Sequence, residues 1–303
     1  MVTQTGQASL PRRSGSTSAA PASPRPHRPA AGEAHAQPWI YVVLGAGLVL
    51  LVGPFLWMLL GSFRPNRELQ QVPMSWLPRH ATLNNYRQLF QVLNFPRFFF
   101  NSTVVAVTIT LGNLLFCSML GYALAKLSFP GKRVIFALVL GTLMIPGVVT
   151  FVPLFVLVSN LGMANSYPGL IFPFLAGPFG VFLMRQFILG LPDELIQAAR
   201  VDGAGEFRIF ASVIMPLCKP VLATLGILTF LTSWNQFLWP LVVAQSESRY
   251  TLPVALAIYS VGEKKADYGL LMAGSVVVVI PVLLVFLALQ RHFVRGIALT
   301  GIK

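Results

Sequence analysis

The chain has 303 residues, of which 55% are hydrophobic and only 10% charged, and its mean hydropathy is +0.71. A soluble domain carries about 25% charged residues, so a polar surface on all sides is excluded and the composition predicts a membrane protein. The net charge of +13 would suggest nucleic-acid binding in a soluble protein. Here the positive charges lie between apolar runs, which indicates membrane topology and headgroup contacts, and we expect no nucleic-acid partner.

Residues 1–38 differ from the rest of the chain because they are rich in Ala, Pro, Ser, Arg and His, and their first acidic residue is Glu33. They contain no apolar core, so we do not expect them to be a secretory signal peptide. The Arg- and Ser-rich composition also resembles a transit peptide, but four prolines between positions 21 and 29 oppose the amphipathic helix of such peptides. We expect a disordered, basic cytoplasmic tail, followed by a transmembrane domain over residues 39–303.

Six apolar runs follow the tail, and each is close to the roughly 20 residues that a spanning helix needs. Apart from Lys219 at the first position of the fifth run, they contain no Asp, Glu, Lys, Arg or His. The runs cover residues 39–62, 101–125, 134–158, 167–184, 219–243 and 269–290. One soluble core could not bury six such segments, so the sequence predicts an all-α membrane protein with six transmembrane helices.

The positive charges predict the orientation of these helices. If the N-terminus is cytoplasmic, the segments on the inner side hold 14 of the 22 Lys and Arg residues. Five of the other eight are arginines of the long connection 63–100, which opposes the assignment, whereas the basic turn 129–133 and the basic C-terminus support it. We therefore expect a multi-pass protein with both termini in the cytoplasm.

Residues suited to catalysis or to metal binding are sparse. Cys117 and Cys218 lie about 100 residues apart, which is neither a disulfide framework nor a metal-ligand spacing. All four histidines fall outside the apolar runs, and the chain has no Gly-x-x-x-x-Gly-Lys-Ser/Thr phosphate loop. We expect no catalytic residue, no metal site and no cofactor.

The connection between the fourth and fifth runs carries the most information. Its residues 192–216 predict a short helix, a turn and a second helix. Pro192 suits the first helical turn, and Asp202-Gly203 is a turn signal at which Gly203 can take a positive φ. Pro216 lies near the end of the second helix, before the fifth run.

Ala198 and Ala199 have no bulk, so another surface can approach this helix closely. A connection of about 30 residues is longer than two membrane helices need, which indicates a partner protein. The alternative is an amphipathic helix on the membrane surface, with Leu195, Ile196 and Ala199 facing lipid. The pattern alone leaves both interpretations open.

This connection resembles the cytoplasmic "EAA" loop of permease subunits in bacterial ABC importers. The family pattern is Glu-Ala-Ala, then a glycine a few residues later, then a hydrophobic residue and proline about a dozen residues beyond. Gln197, Ala198 and Ala199 stand at the Glu-Ala-Ala, Gly203 at the glycine, and Met215-Pro216 at the ending. Gln197 departs from the family because it keeps hydrogen bonding but loses the charge, so no salt bridge to an ATPase is expected there.

Other stretches extend the resemblance over about residues 39–303. They are Asn101-Ser102-Thr103, Gly121-Tyr122-Ala123-Leu124-Ala125, Phe129-Pro130-Gly131, Met144-Ile145-Pro146 and Ser233-Trp234-Asn235-Gln236-Phe237-Leu238-Trp239-Pro240. Together they are similar to carbohydrate-type permeases, the group that includes maltose and glycerol-phosphate importer subunits.

The resemblance implies a permease that is not itself an enzyme, in the inner membrane of a bacterium, importing a sugar by alternating access. Its implied partners are a second permease in a heterodimer, a dimer of ABC ATPase subunits, an external sugar-binding protein and the bilayer. The residues implied to couple to the ATPase are Glu194, Gln197, Ala198, Ala199, Asp202, Gly203, Ala204, Phe207 and Pro216. The chain end, Gly301, Ile302 and Lys303, is a further candidate contact or simply a frayed terminus.

A candidate translocation path follows from polar and aromatic residues inside the apolar runs. Trp234, Asn235, Gln236 and Trp239 occur within six residues, and Asn113 lies in the second run. Amides inside a span are costly unless they are paired or line a cavity. Hydrogen bonding between helices, including helices of the partner permease, is the alternative.

Two other functions compete with import. An ion-coupled secondary carrier usually places acidic or His residues within its spans, and an intramembrane enzyme would need a cluster of His, Asp or Cys at membrane depth. The apolar runs contain neither arrangement, so both are disfavoured.

Overall fold

A computed structural model of the chain describes residues 38–71, 78–91, 94–260 and 267–300, with side chains at positions 39–71, 78–91, 94–259 and 267–288. The predicted tail lies outside the described residues except for Pro38, and so do residues 301–303, the candidate C-terminal contact. The described residues up to Leu50 form one structural unit and those from Leu51 onward another.

Within the described ranges the chain is helical and contains no strand. The α-helices are α1 (Pro38–Ser62), α2 (Asn66–Leu69), α3 (Asn84–Gln91), α4 (Phe95–Lys126), α5 (Lys132–Met144), α6 (Gly147–Asn160), α7 (Tyr167–Ile171), α8 (Pro178–Leu189), α9 (Asp193–Val201), α10 (Glu206–Ile209), α11 (Met215–Leu217), α12 (Lys219–Trp234), α13 (Leu238–Val243), α14 (Leu252–Ser260) and α15 (Tyr268–Thr300). Phe172–Phe174 and Glu247–Arg249 are 3₁₀ turns, and Phe210–Ile214 is a π-helical segment.

Three helices, α1, α4 and α15, are long and apolar enough to cross a membrane singly. Three further pairs pass the same test only as bent spans: α5 with α6 at 106°, Tyr167–Phe174 with α8 at 40°, and Glu206–Leu217 with α12 at 81°. The described chain thus has up to six spans, which agrees with the six apolar runs, but half of them are broken.

Prolines account for two of the breaks. Ile145, between α5 and α6, has φ −83° and ψ 118°, and Gly177, before α8, has φ −115° and ψ 143°. Each precedes a proline, whose ring disfavours the helical conformation of the residue before it. Runs 134–158 and 167–184 were predicted as simple spans, without regard to these prolines.

The prediction of one continuous helix over 219–243 was also wrong. α12 ends at Trp234, and a new helix begins at Leu238. A continuous helix would place Pro240 in its interior, where the ring clashes with the carbonyl four residues earlier and no N–H is available. Restarting the helix at Leu238 puts Pro240 in a first turn, where an N–H is not needed.

The helix α4 lies at the centre of the packing and contacts both α8 and α12. Small residues let α4 and α8 approach closely: a Cβ added at Gly121 would lie 2.8 Å from Cβ of Met184 and 3.0 Å from the backbone N of Arg185. Gly180 of α8 likewise faces the sulfur of Cys117. Dispersion contacts between closely packed helices replace the hydrophobic driving force that is absent within lipid.

We expect Gly121→Ala to destabilise the protein by about 1–3 kcal/mol, because the added methyl must displace α8 backbone. The measurement is the thermal unfolding midpoint of the detergent-purified protein. Gly141→Ala in α5 is the matched control, since a Cβ there meets no atom within 4 Å. Equal midpoints for the two variants would refute the close packing of α4 on α8.

Candidate functional site

The connection 192–216 has the predicted helix-turn-helix shape. α9 ends in a reverse turn in which the Ala204 N–H donates to the carbonyl of Ala199 at 3.0 Å and the Asp202 N–H to that of Ala198 at 3.0 Å. Gly203 takes φ +78°, the left-handed conformation expected of a glycine just past a helix end. The turn signal in the sequence was therefore interpreted correctly.

One face of this helix-turn-helix packs against the end of the helix bundle. Ile196 of α9 is buried, as are Ile209, Phe210 and Ile214 of the second helix, and all four join the core cluster around α4 and α8. Ala199 packs against the same cluster. The alternative in which Ile196 and Ala199 face lipid is therefore not the arrangement in this structure.

The opposite face of the connection is exposed and partly apolar. Val201 is 87% exposed, Phe207 73% and Leu195 43%. Of the predicted coupling residues, Ala199 and Ala204 are half-buried and the others are exposed, namely Glu194, Gln197, Ala198, Asp202, Gly203, Phe207 and Pro216. Seven of the nine predicted coupling residues are therefore exposed within this chain.

Polar contacts tie the turn of this connection to α4. The Tyr122 hydroxyl donates to Oε2 of Glu206 at 2.6 Å, and Nε of Arg200 donates to Oε1 of the same carboxylate at 2.8 Å. The hydrogen bond to Glu206 raises the pKa of Arg200 above its ordinary value. Glu206 was not among the residues predicted from the sequence. Its position in the first turn of a helix, three residues after Gly203, could have indicated a functional carboxylate.

A second contact ties the start of the connection to the same helix. Nζ of Lys126, the last residue of α4, lies 2.7 Å from Oδ1 of Asp193 and donates to the carbonyl of Leu191 at 2.6 Å. Tyr122 and Lys126 are one helical turn apart, so they lie on the same face of α4. Both ties of the connection therefore reach one face of one helix.

A cleft of about 290 Å³ lies between α4, α8 and α12, further into the bundle. Its polar lining includes Asn113, Thr229, Thr232, Ser233 and Gln236. Thr229, Thr232 and Ser233 follow the spacing i, i+3, i+4, which places them along one face at the end of α12, and Gln236 follows in the unwound segment after Trp234. Asn113 and Gln236 were predicted from the sequence, whereas Thr229, Thr232 and Ser233 were not, although their spacing would have indicated them.

Asn113 is buried and its amide is used within the chain. Its Nδ2 donates to the carbonyls of Phe174 at 2.7 Å and Ile109 at 3.2 Å, and its Oδ1 accepts from the Gly177 N–H at 3.2 Å. The bonds to Phe174 and Gly177 satisfy backbone groups that the break before α8 leaves without helical partners. Asn113 therefore shapes the wall of the cleft.

The two candidate tryptophans are packed inside the protein. Trp234 is 2% exposed and its Nε1 donates to the carbonyl of Val278 at 3.0 Å. Trp239 is also 2% exposed and its Nε1 donates to the carbonyl of Gly169 at 3.1 Å. Neither indole offers a free face to a sugar ring in this conformation. Asn235 is exposed but lies outside the lining of the cleft.

Metal ligands do not gather in the part of the chain that the structure describes, where no three His, Cys, Asp or Glu side chains come together as a metal site. Cys117 and Cys218 are free and buried.

Comparison with known proteins identifies the family. Residues 117–299 match the family described as binding-protein-dependent transport system inner membrane component. The arabinooligosaccharide transport permease AraQ of Halalkalibacterium halodurans is 40% identical over 88% of this chain and 96% of its own. The diacetylchitobiose uptake permease NgcG of Streptomyces coelicolor is 36% identical over 82% of this chain and 83% of its own. The sn-glycerol-3-phosphate permease UgpE of Escherichia coli is 32% identical over 86% of this chain and 97% of its own.

The fold matches solved structures of the same kind. A crystal structure of a bacterial ABC transporter that imports the acidic polysaccharide alginate superposes with a TM-score of 0.77, at 24% identity, over 84% of this chain and 95% of that one. The chain accordingly belongs to the inner membrane components of binding-protein-dependent transport systems and is a permease subunit with the ABC importer fold.

Proposed function

We propose that this permease carries a neutral carbohydrate into a bacterial cell, driven by ATP hydrolysis on separate subunits. The observation that carries the proposal is the 40% identity to an arabinooligosaccharide permease over nearly the whole of both chains. The diacetylchitobiose permease adds a second oligosaccharide transporter at 36% identity.

The chemistry of the cleft supports a neutral substrate. Its lining combines hydroxyl and amide groups with apolar side chains and contains no charged residue. The N-terminus of α8, at Gly177 and Pro178, lies in the lining, but the Arg or Lys side chains that usually hold a phosphate or carboxylate are not among the lining residues. Glycerol phosphate, the cargo named for the more distant relative UgpE, is therefore a weaker candidate than an uncharged oligosaccharide.

The assembly that we propose contains this permease and a second one as a heterodimer, a dimer of ABC ATPase subunits, and an external sugar-binding protein. A structural relative, with a TM-score of 0.52, was solved in complex with a periplasmic protein bound to an alginate pentasaccharide. The exposure of the apolar side chains Leu195, Val201 and Phe207 supports docking of an ATPase subunit on the connection 192–216. Docking through apolar contacts is compatible with Gln197, which has no charge to offer.

The orientation that we propose places the connection 192–216 and both termini in the cytoplasm. Four basic side chains bond to groups at the end of the bundle that holds this connection: Lys126, Lys132, Arg185 and Arg200. An excess of Lys and Arg is typical of cytoplasmic connections. ATP is in the cytoplasm, so an ATPase-docking surface must lie on that side.

The mechanism is alternating access. Closure of the ATPase dimer on ATP displaces the connection 192–216, and the spans rock between an inward-open and an outward-open arrangement. The three broken spans supply hinges, because a helix that is already interrupted has fewer backbone hydrogen bonds to strain. The cleft between α4, α8 and α12 would then form part of the path for the sugar.

Phe207→Ser should weaken binding of the ATPase subunit by about tenfold or more, since an exposed aromatic anchor is a typical hot spot worth about 2 kcal/mol. The assay is co-purification of the ATPase with the affinity-tagged permease, which also tests the proposed function with the unaltered chain. Leu83→Ser is the control, because Leu83 is 67% exposed but lies outside the connection. Failure of the unaltered permease to retain any ATPase would overturn the proposal.

Gly203→Asp should abolish ATP-dependent uptake while the protein remains inserted in the membrane. Aspartate strains a backbone held at φ +78° and adds a charge beside the apolar docking surface. Gly205→Asp adds the same charge at φ −72° and should retain more uptake. Uptake is measured in cells together with immunodetection of the membrane fraction. Normal uptake by Gly203→Asp would contradict a coupling role for this turn.

Gln236→Leu should lower sugar uptake about tenfold, the effect of losing a hydrogen bond worth roughly 1.5 kcal/mol. The measurement is the concentration dependence of uptake with arabinooligosaccharides, diacetylchitobiose and glycerol-3-phosphate as alternative substrates. Asn235→Ala removes the adjacent amide outside the cleft and should change uptake less. A larger effect at Asn235 than at Gln236 would move the path away from the cleft.

A further inference from the structure

Besides apolar packing, the connection 192–216 holds α4 through the Glu206 and Asp193 carboxylates described above. We propose that Glu206, bonded to both Tyr122 and Arg200, is a positioning residue that transmits the ATPase-driven displacement of the connection to α4. The inference rests on the proposed function, because it assumes that an ATPase moves this connection. It names the helix that receives the motion and the contact that carries it.

Stability is a poor explanation for the Glu206 contacts. The side chains of Arg200 and Glu206 are 45% and 44% exposed, and ion pairs with that much solvent access contribute little to folding. Ile196, Ile209 and Phe210 already hold the connection to the bundle by burial. Removing the carboxylate should therefore leave the connection folded and docked.

The Glu206 contacts add a defined direction to the attachment between the connection and α4. The hydrophobic effect is itself non-directional, so burial alone does not define a single line along which the connection acts on α4. A charge-assisted hydrogen bond of 2.6 Å fixes the distance and the angle between its two groups. Because Arg200 at the end of α9 holds the other carboxylate oxygen, a displacement of α9 pulls on Tyr122 through Glu206.

The helix α4 can carry that displacement to the cleft. It is unbroken from Phe95 to Lys126, and Asn113 lies nine residues before Tyr122, about 14 Å along the axis at 1.5 Å per residue. Asn113 holds the carbonyl of Phe174 and the N–H of Gly177 at the wall of the cleft. The bond between Lys126 and Asp193 gives α4 a second point of attachment, so that α4 shifts with the connection instead of rotating.

The experiment uses the full complex, with the ATPase subunits, the partner permease and the binding protein, in lipid nanodiscs. Thr232→Cys in the cleft is the reporter, and its rate of labelling by a water-soluble maleimide is measured with and without ATP and vanadate. The permease without Thr232→Cys corrects for any labelling of buried Cys117 and Cys218. Retention of ATPase subunits, ATP hydrolysis and the thermal midpoint are recorded for every variant.

We expect Tyr122→Phe and Glu206→Ala each to reduce the ATP-dependent change in labelling at least about fivefold, the lower end of typical coupling between sites. ATPase retention and the thermal midpoint should be unchanged. The double variant should be no worse than the more affected single variant, because both break one contact. Glu206→Gln can still accept the Tyr122 hydrogen bond and should restore part of the response.

Tyr86→Phe is the matched control. It deletes the same phenolic hydroxyl, here 2.8 Å from Oγ of Ser62, and should keep the full ATP-dependent change. An undiminished response in Tyr122→Phe and Glu206→Ala would overturn this inference alone, with the proposed function intact. A thermal midpoint that falls in step with the response would also overturn it, in favour of a structural role. If the unaltered permease retains no ATPase, the proposed function itself is wrong, and this inference is lost with it.

Discussion

In the function that we propose, coupling depends on the attachment of the connection 192–216 to the end of α4. A partner that binds an exposed surface can move the membrane helices only if that surface is firmly attached to them. Burial of Ile196, Ile209 and Ile214 supplies the adhesion, and the Tyr122–Glu206 hydrogen bond supplies direction. Both converge on a helix that runs through the whole bundle and forms one wall of the cleft.

The broken spans obey the constraint that the bilayer imposes on backbone polar groups. In lipid every N–H and C=O must find an internal partner, so a helix can be interrupted only where side chains or neighbouring helices replace the lost bonds. Asn113 does this at the break before α8 by binding both Phe174 and Gly177. Trp239 binds the carbonyl of Gly169 in the same region. Asn113 and Trp239, which the sequence suggested as substrate contacts, thus serve first as hydrogen-bond partners for the irregular backbone.

The cleft follows from those breaks. Unwinding of the chain after Trp234 brings Gln236 alongside the hydroxyls of α12, and the wall opposite is the irregular segment that Asn113 supports. A bundle of six straight helices with the same composition would pack these side chains against neighbouring helices. Hinges and an uncharged polar surface occur together here because the same prolines and amides create both.

Much of this protein could be predicted from its sequence alone. The scarcity of charge and the six apolar runs determined a helical membrane protein, because no other fold buries such segments, and Asp202-Gly203 determined the turn of the exposed connection through a conformation that favours glycine. Only the tertiary structure decided that Trp234 and Trp239 are interior packing and that Glu206 meets Tyr122 across 84 residues of sequence. The breaks before Pro146 and Pro178, by contrast, had a signal in the sequence. Local patterns specify backbone conformation and burial, whereas a hydrogen bond between distant segments depends on how the helices pack, which no local pattern encodes.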